Sequence, residues 1–426
     1  MDFVDKGQHL RNCCLSGIQS LKNLKKGQGC DVIYTDFSKA FDKVETGVLL
    51  HKVRDCEITG KVGVWLASFL DSATRQQAVA VDGIVSNLMP VLSGVPQGTV
   101  LGPVLFLIHI MDIAANLSAG TTATSFADDT RVQRGISCSQ DCSDLQKDLE
   151  SIYKWAETVN MHFNSDKFEC LRFWPHSNDP PTHEYKGPDE NVITVKDSLK
   201  DLGVEVSSTL DFKTHVSKVV ASASKLTGWA LRSFRRRNKL TMRSIWHCLV
   251  QPKMDYCSQL WSPCDQQSIN KIESVQRHFV EKIKGLEEMC YWEKLKVLKM
   301  YSQERRRERY IIIFLWKLSQ NMVRGYNVTF CENPRRGRLV VPSHPPQSAS
   351  ARVKQARESS LQVKGAKLFN LLPTYLRNID AENVDTFKKE LDWYLSPVPD
   401  EPTSAGLLQV AETNSLLHQI PLMTAI

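Results

Sequence analysis

The sequence predicts an α+β fold of more than one domain, and three observations point there. Five short strand-like runs, bounded by turn residues, all fall before residue 175. From Asp211 onward the pattern becomes helical, strongly so to Leu240 and more loosely to about Asn321. The composition, 42% hydrophobic and 24% charged over 426 residues, is that of a globular protein, and at roughly 150 residues per domain it suggests two or three domains.

Charge and cysteine usage exclude several classes. Lys plus Arg number 54 against 47 Asp plus Glu, a net +7 that is compatible with nucleic acid without demanding it. The twelve Cys are too dilute for a disulfide scaffold and none forms a CxxC pair, which predicts reduced thiols. Met1-Asp2-Phe3 does not open a signal peptide. The most apolar run, Val104 to Leu117, is shorter than the ~20 residues a spanning helix needs and carries His109 and Asp112. The expectation is an intracellular chain, nuclear or cytoplasmic, neither secreted nor membrane-bound.

The elements follow in order. Val32-Ile33-Tyr34-Thr35 reads as a strand ending on Asp36, and Ser38 to Phe41 as the start of a helix. A second helix opens at Thr59-Gly60 with Val62, Trp65, Leu66 and Phe69 at helical spacing. Ala78 to Gly83 and Met89 to Leu92 read as strands around a Gly-containing turn. Val104 to Met111, after Pro103, reads as a buried helix. Thr122 to Phe126 and Arg131 to Arg134 flank Asp128-Asp129 as a tight hairpin. Ser143 and Gln146 have capping-box spacing, opening a helix with Leu145, Leu149, Ile152 and Trp155 or Ala156 on one face. Residues 174–190 hold four prolines and no periodicity, and 331–360 are rich in Pro, Ser and Arg, which marks a linker. A small helical segment is expected at 361–395 and a frayed tail from Pro397.

Two carboxylate sites carry the chemistry. Asp36 ends an apolar strand, and Asp128-Asp129 occupy a hairpin tip. Taken alone, an Asp-Asp turn is most simply a solvated tip, because Asp tolerates turn backbone angles. Together the sites suit nucleotidyl transfer, which needs hard oxygen ligands on rigid strand ends to hold two Mg²⁺ about 3.5–4 Å apart. Asp36 and Asp128 have the character of principal ligands and Asp129 that of a weaker one.

Asp36-Phe37-Ser38-Lys39-Ala40-Phe41-Asp42, then Gly94-Val95-Pro96-Gln97-Gly98 with Leu101-Gly102-Pro103, then Phe126-Ala127-Asp128-Asp129 occur in that order, about 60 and 30 residues apart. Together they resemble the palm motifs of reverse transcriptases, specifically those of non-LTR (LINE-type) retrotransposons. The resemblance covers residues 28–240 and continues more loosely through Asp201-Leu202-Gly203-Val204, Gly365 to Asn370 and Leu372-Pro373. It implies a right-hand polymerase palm, a ferredoxin-like antiparallel sheet with helices, followed by an α-helical thumb. It also implies RNA-directed DNA polymerase activity: extension of a DNA primer on an RNA template from deoxynucleoside triphosphates, with two Mg²⁺ (or Mn²⁺) as cofactor and no obligate protein partner. Asp36 and Asp128 would be the metal ligands, with Asp129 and the Phe37 carbonyl beside them. Phe41 would be the steric gate against a 2′-hydroxyl; its plainer reading is a core Phe. Gln97 and Gly98 would line the nascent base pair. Lys167 matches a position proposed to protonate the pyrophosphate leaving group; otherwise it is a solvated lysine. Asp201 to Val204 would start the primer-grip hairpin.

Residues 225–243 contain seven Lys or Arg and no acid. Val216, Val219, Ala223, Leu226, Ala230 and Phe234 form an apolar stripe upstream, while Lys218, Lys225 and Arg232 recur every seven residues on another face. With Arg235, Arg236 and Arg237 they suit a helix that follows a phosphate backbone, behind the palm where the resemblance places the thumb. A second cluster, Arg305-Arg306-Arg307-Arg309, reads equally as surface charge. Cys257, Cys264, His247-Cys248 and Cys138 with Cys142 read as structural, and no GxxxxGK[ST] loop occurs.

The expected organisation is 1–30 as a remnant of the fingers approach, including Gly27-Gln28-Gly29-Cys30, then 31–175 as palm and 176–210 as linker and primer-grip hairpin. Then come 211–330 as thumb and connection, 331–360 as basic linker, and 361–426 as a helical segment and tail. Thirty-five residues before Asp36 do not hold the fingers that such polymerases carry, nor an endonuclease. The expectation is therefore an N-terminally truncated retrotransposon fragment. Its alternative is a catalytically inactive nucleic-acid-binding remnant lacking the fingers.

Overall fold

The computed structural model describes residues 28–174, 183–323, 337–341, 351–380, 383–402 and 413–424. The expected fingers remnant up to Gly27, half of the 331–360 linker and residues 403–412 and 425–426 of the tail lie outside the described residues. The described residues are mixed α/β with a mostly antiparallel sheet, and they divide into two compact units between Asp197 and Ser198.

The first unit is built on β1 (Gly29–Thr35), whose Val-Ile-Tyr run suits a central strand. Two short pairs follow: β2 (Gln76–Gln77) with β5 (Met89–Pro90), and β3 (Ala80–Val81) with β4 (Ile84–Val85). Then come β6 (Thr121–Phe126), β7 (Asp129–Ile136), β8 (Glu169–Phe173) and β9 (Thr194–Lys196). The five-stranded sheet runs β6-β7-β1-β8-β9, antiparallel except for β8 with β9. Five helices accompany it among the described residues: α1 (Ala40–Lys43), α2 (Thr46–Asp55), α3 (Gly60–Leu70), α4 (Leu101–Ile110) and α5 (Ser139–Thr158). Ile33, Val132 and Cys170 of the sheet share one core with Leu49, Phe106, Leu149 and Ile152 of the helices. Asp31, read only as the start of the strand, is buried and bonded to Arg172 Nε (3.1 Å) and the Tyr185 hydroxyl (2.8 Å). Burial raises its pKa while the Arg172 charge opposes that rise.

Three expectations change here. α5 starts at Ser139, because Cys138 and Asp141 make the capping box, leaving Ser143 inside the helix. Its predicted face, Leu145 to Ala156, is buried as expected. The turn of the 78–92 region falls at Asp82-Gly83, both at positive φ, inside what reads as a strand. α4 is not buried throughout: Val100, Val104, Leu107 and Met111 form an exposed stripe. A helix apolar all round has no periodicity from which to choose its inner face.

The second unit opens with a hairpin, β10 (Ser198–Asp201) and β11 (Val204–Ser207). Its turn residues Leu202 and Gly203 both have positive φ, and the Tyr256 hydroxyl donates to Leu202 O at 2.7 Å. Helices follow: α6 (Lys213–Ser233), α7 (Lys239–Ile245), α8 (Gln251–Asp255), α9 (Ser258–Trp261), α10 (Gln266–Val280), α11 (Tyr291–Leu298) and α12 (Gln303–Ser319). After these come α13 (Ala351–Ser359, within the stretch expected as linker), α14 (Ala366–Leu371), α15 (Thr374–Arg377), α16 (Val384–Leu395) and α17 (Leu416–Thr424). The long helix expected over 211–240 is interrupted. α6 stops at Ser233 and Asn238 caps α7 by accepting from Thr241 N, so Arg235, Arg236 and Arg237 lie on a connection and not on a helix. The Arg305 cluster is not surface charge either. Arg305 and Arg307 are buried in α12; Arg305 donates to Val398 O and Pro399 O, and Arg307 lies over the Trp261 ring. Arg306 and Arg309 pair with Asp255 and Asp392.

Candidate active site and nucleic-acid face

The sheet register brings the expected carboxylates to one edge. Thr35 pairs with Thr130 on β7 and Tyr34 with Glu169 on β8. Asp36 follows Thr35 at the strand end, one step from Asp129 on the β7 side, while on the β8 side the register slips and Asn164 N donates to Asp36 O at 2.8 Å. Lys167 ends a short 3₁₀ turn, Ser165–Lys167, and its Nζ donates to Asp36 Oδ2 at 2.7 Å. The side chains are 60% and 19% exposed respectively. That hydrogen bond and the Asp36 charge, with smaller contributions from Asp128 and Asp129, raise the Lys167 pKa. Asp128 belongs to the two-residue turn Ala127-Asp128 that joins β6 to β7, since Phe126 pairs with Asp129. The positive φ of that turn falls on Ala127, at 51°, and not on either Asp. Phe37 is buried, stacked on Phe163 at 4.3 Å between ring centroids.

Asp36 bonds the Lys167 cation, and carboxylate oxygen is the donor type that a hard divalent ion takes. Among the described residues no three His, Cys, Asp or Glu side chains are spaced to close on a single ion.

The second expected group is held rigidly next door. Phe41 stacks on Phe106 of α4, with centroids 4.4 Å apart. Val95 N donates to Phe41 O at 2.9 Å, Ser93 Oγ to Asp42 O at 2.8 Å, and Gln97 Nε2 to Asp42 Oδ1 at 2.7 Å. Gly94 (φ 88°) is required there: a Cβ would lie 2.9 Å from Asp42 Cα and from Phe41 O. Arg75 Nη1 donates to Gly94 O at 2.7 Å. Gly98 (φ 77°) faces open space. Asp42 stands in the first motif, but only the structure reveals that it orients Gln97; Arg75 lies in no motif and carried no signal.

In the second unit, α6 buries Val216, Ala223 and Ala230 and half-buries Val219 and Leu226, as the stripe predicts, whereas its last member, Phe234, lies past the helix end and is exposed. Lys218, Lys225 and Arg232 are exposed on its outer side, though Lys218 pairs with Glu205 at 2.9 Å. Arg235 and Arg236 are exposed beyond its end, while Arg237 is half-buried and donates to Leu231 O. Trp229, 48% exposed between Lys225 and Arg232, completes this face and packs edge-on against Phe234. Its spacing of four and three residues from the two cations was legible, yet a Trp at helical spacing reads first as core.

Residues 7–206 match the protein family described as reverse transcriptase (RNA-dependent DNA polymerase). The chain is 28% identical over 279 residues to the RNA-directed DNA polymerase from mobile element jockey of Drosophila funebris, covering 62% of this chain and 30% of that one. It is 26% identical over 270 residues to the probable RNA-directed DNA polymerase from transposon X-element of Drosophila melanogaster, covering 62% of this chain and 29% of that one. The chain thus spans less than a third of the length of these relatives. Among solved structures it is similar to telomerase from Candida albicans in complex with a telomeric RNA fragment, with a TM-score of 0.41 and 12% identity over 67% of this chain and 54% of that one. Residues 7–206 of this chain thus carry a reverse transcriptase domain, similar to those of the Drosophila mobile elements.

Proposed function

We propose that the chain is an RNA-directed DNA polymerase of a non-LTR retrotransposon, extending a DNA primer 3′-hydroxyl on an RNA template from deoxynucleoside triphosphates. In this reading the first unit is the polymerase palm and the second the thumb. The observation that carries it is Asp36 at the end of β1, bonded to a Lys167 that also feels the charges of Asp128 and Asp129, together with the Gln97 side chain held by Asp42. Asp36 and Asp128, with Asp129 and the Phe37 carbonyl, would hold Mg²⁺, which when bound supplies charge neutralisation at the phosphates and an activated 3′-hydroxyl. The chain's own groups do the rest. Phe41, fixed by Phe106, excludes a 2′-hydroxyl; Gln97, turned by Asp42, meets the nascent pair with Gly98. Lys167 is placed to give a proton to the departing pyrophosphate. Lys225, Arg232 and the Arg235–Arg237 connection meet phosphates, and Trp229 offers a flat apolar face among them.

Primer extension on an RNA template with Mg²⁺ tests this. The expected outcome is extension that Asp128→Asn abolishes while affinity for the duplex stays nearly unchanged. Extension by Asp128→Asn at the level of the unsubstituted chain would remove the metal assignment. No extension by either, with salt-sensitive binding retained, would leave the inactive nucleic-acid-binding remnant as the function.

A further inference from the structure

We propose that Arg75 is a positioning residue for nucleotide selection: by holding the Gly94–Val95 peptide it sets the Phe41 ring against an incoming sugar. The proposal rests on the polymerase reading above, in which Phe41 meets that sugar. Phe41 lies on α1, a single turn of four residues. One turn is too short to be stable by itself, and its last carbonyls find no partners within it. The segment after β5 supplies them. Ser93 Oγ donates to Asp42 O at 2.8 Å, Gly94 N to Val44 O at 2.8 Å and Val95 N to Phe41 O at 2.9 Å. Phe41 is half-buried, so its stacking on Phe106 leaves part of the ring exposed.

Gly94 O and Val95 N–H belong to one peptide group between two buried residues, and its two ends are tied to different segments. The N–H end reaches Phe41 O, while the carbonyl end accepts from Arg75 Nη1 at 2.7 Å. Both ties are needed, because a peptide held at one end can still tilt about that bond. A buried carbonyl also needs a donor, and a charged donor binds it more strongly than a neutral one. Arg75 is anchored for the task. Its N donates to Asp71 O and its O accepts from Val91 N, both at 2.9 Å, where the β2–β5 pair begins. Arg75 therefore acts through the backbone of Phe41 and not on a substrate. The bond uses one N–H of the guanidinium, so a lysine ammonium can also make it.

Two measurements on the full chain test this with Arg75→Met and Arg75→Lys. Amide hydrogen exchange needs no turnover. In Arg75→Met the Val95 amide is expected to exchange about tenfold faster, the scale of one charge-assisted hydrogen bond, while the β1 amides keep their protection. The second measurement is single-nucleotide extension of a primer on an RNA template. There Arg75→Met is expected to lower the kcat/KM ratio of a deoxynucleoside over the matching ribonucleoside triphosphate by about threefold, less than Phe41→Val does, because the ring is still present. That ratio does not depend on how much of the protein is folded, so a purely structural loss leaves it in place. Arg75→Lys is expected to keep both readouts within about twofold of the unsubstituted chain. An unchanged Val95 amide in Arg75→Met, or Arg75→Lys behaving like Arg75→Met, overturns the positioning role. A ratio lowered by Phe41→Val but not by Arg75→Met also overturns it and leaves the gate standing. If Phe41→Val does not lower the ratio either, or if the unsubstituted chain extends nothing, the reading beneath falls and this inference with it.

Discussion

Two single residues show how much geometry the site demands. Ala127 takes a left-handed φ in the turn that presents Asp128, at a cost of about 1–2 kcal/mol for a residue with a Cβ. Gly94 takes φ 88° against the Phe41–Asp42 backbone, where no side chain fits. Gly94→Ala is therefore expected to destabilise the first unit by roughly 1–3 kcal/mol, read as a lower urea midpoint. An unchanged midpoint would show that the loop can retreat from Asp42. Phe41 supports a second prediction. Because Phe106 fixes its ring, Phe41→Val opens space instead of letting the ring move, and the preference for deoxynucleotides should fall on the order of tenfold in primer extension. Unchanged selectivity would return Phe41 to the core as an ordinary side chain. Both positions were legible as residue types in the motifs. Their contacts were not, since Gly94 meets Asp42 from fifty-two positions along the chain and nothing local records that approach.

At the scale of elements, α12 and its neighbours carry a charge arrangement with a consequence for stability. Glu273 of α10 accepts from the Tyr291 hydroxyl and from Gln303 N, the latter at 2.8 Å. Burial pushes its carboxyl up to about 7. A carboxyl raised above its unfolded value holds its proton more tightly when folded, so its contribution is fully present below about 4.5 and is lost as pH rises through about 7. Glu273→Gln, which keeps an acceptor for Gln303 and can donate to Tyr291, should be near neutral at pH 4 and stabilising by about 2 kcal/mol at pH 8 in urea unfolding. Equal effects at the two pH values would mean that the carboxyl is ionised throughout. On α6 the expectation concerns binding. Lys225→Ala and Arg232→Ala should each lower the salt slope of duplex affinity by about one, whereas Trp229→Ala should weaken binding and leave the slope alone. A slope lowered by Trp229→Ala would show that it works by arranging the cations. Elements with one clear apolar face, α5 and α6, were legible along their inner sides. Those whose ends depend on a cap, or whose surface is apolar all round, were not. Cys138 and Asp141 start α5, Asn238 restarts the chain after Ser233, and α4 offers no polar side by which to orient it.

Across the whole molecule, the +7 net charge conceals a separation between acids gathered around Lys167 and exposed cations around Trp229. The separation follows the structural division. Residues 176–210 read as a linker and hairpin taken together, and the observed division falls within them: the hairpin from Ser198 bonds through Leu202 to Tyr256 and so belongs with the helices that follow. That bond joins residues 54 apart and has no local signature. Each unit has its own hydrophobic core, one around Ile33, Phe106 and Leu149, the other around Trp246, Phe279 and Trp316. Units with separate cores unfold separately unless a large apolar interface couples them. Calorimetry should therefore resolve two transitions. Phe106→Ala removes a fully buried ring from the first core, which typically costs about 3–5 kcal/mol, and should lower one transition only. Glu273→Gln at pH 8 should raise the other and leave the first in place. If both substitutions instead shift one common transition, the chain folds as a single cooperative block and the two cores are thermodynamically one.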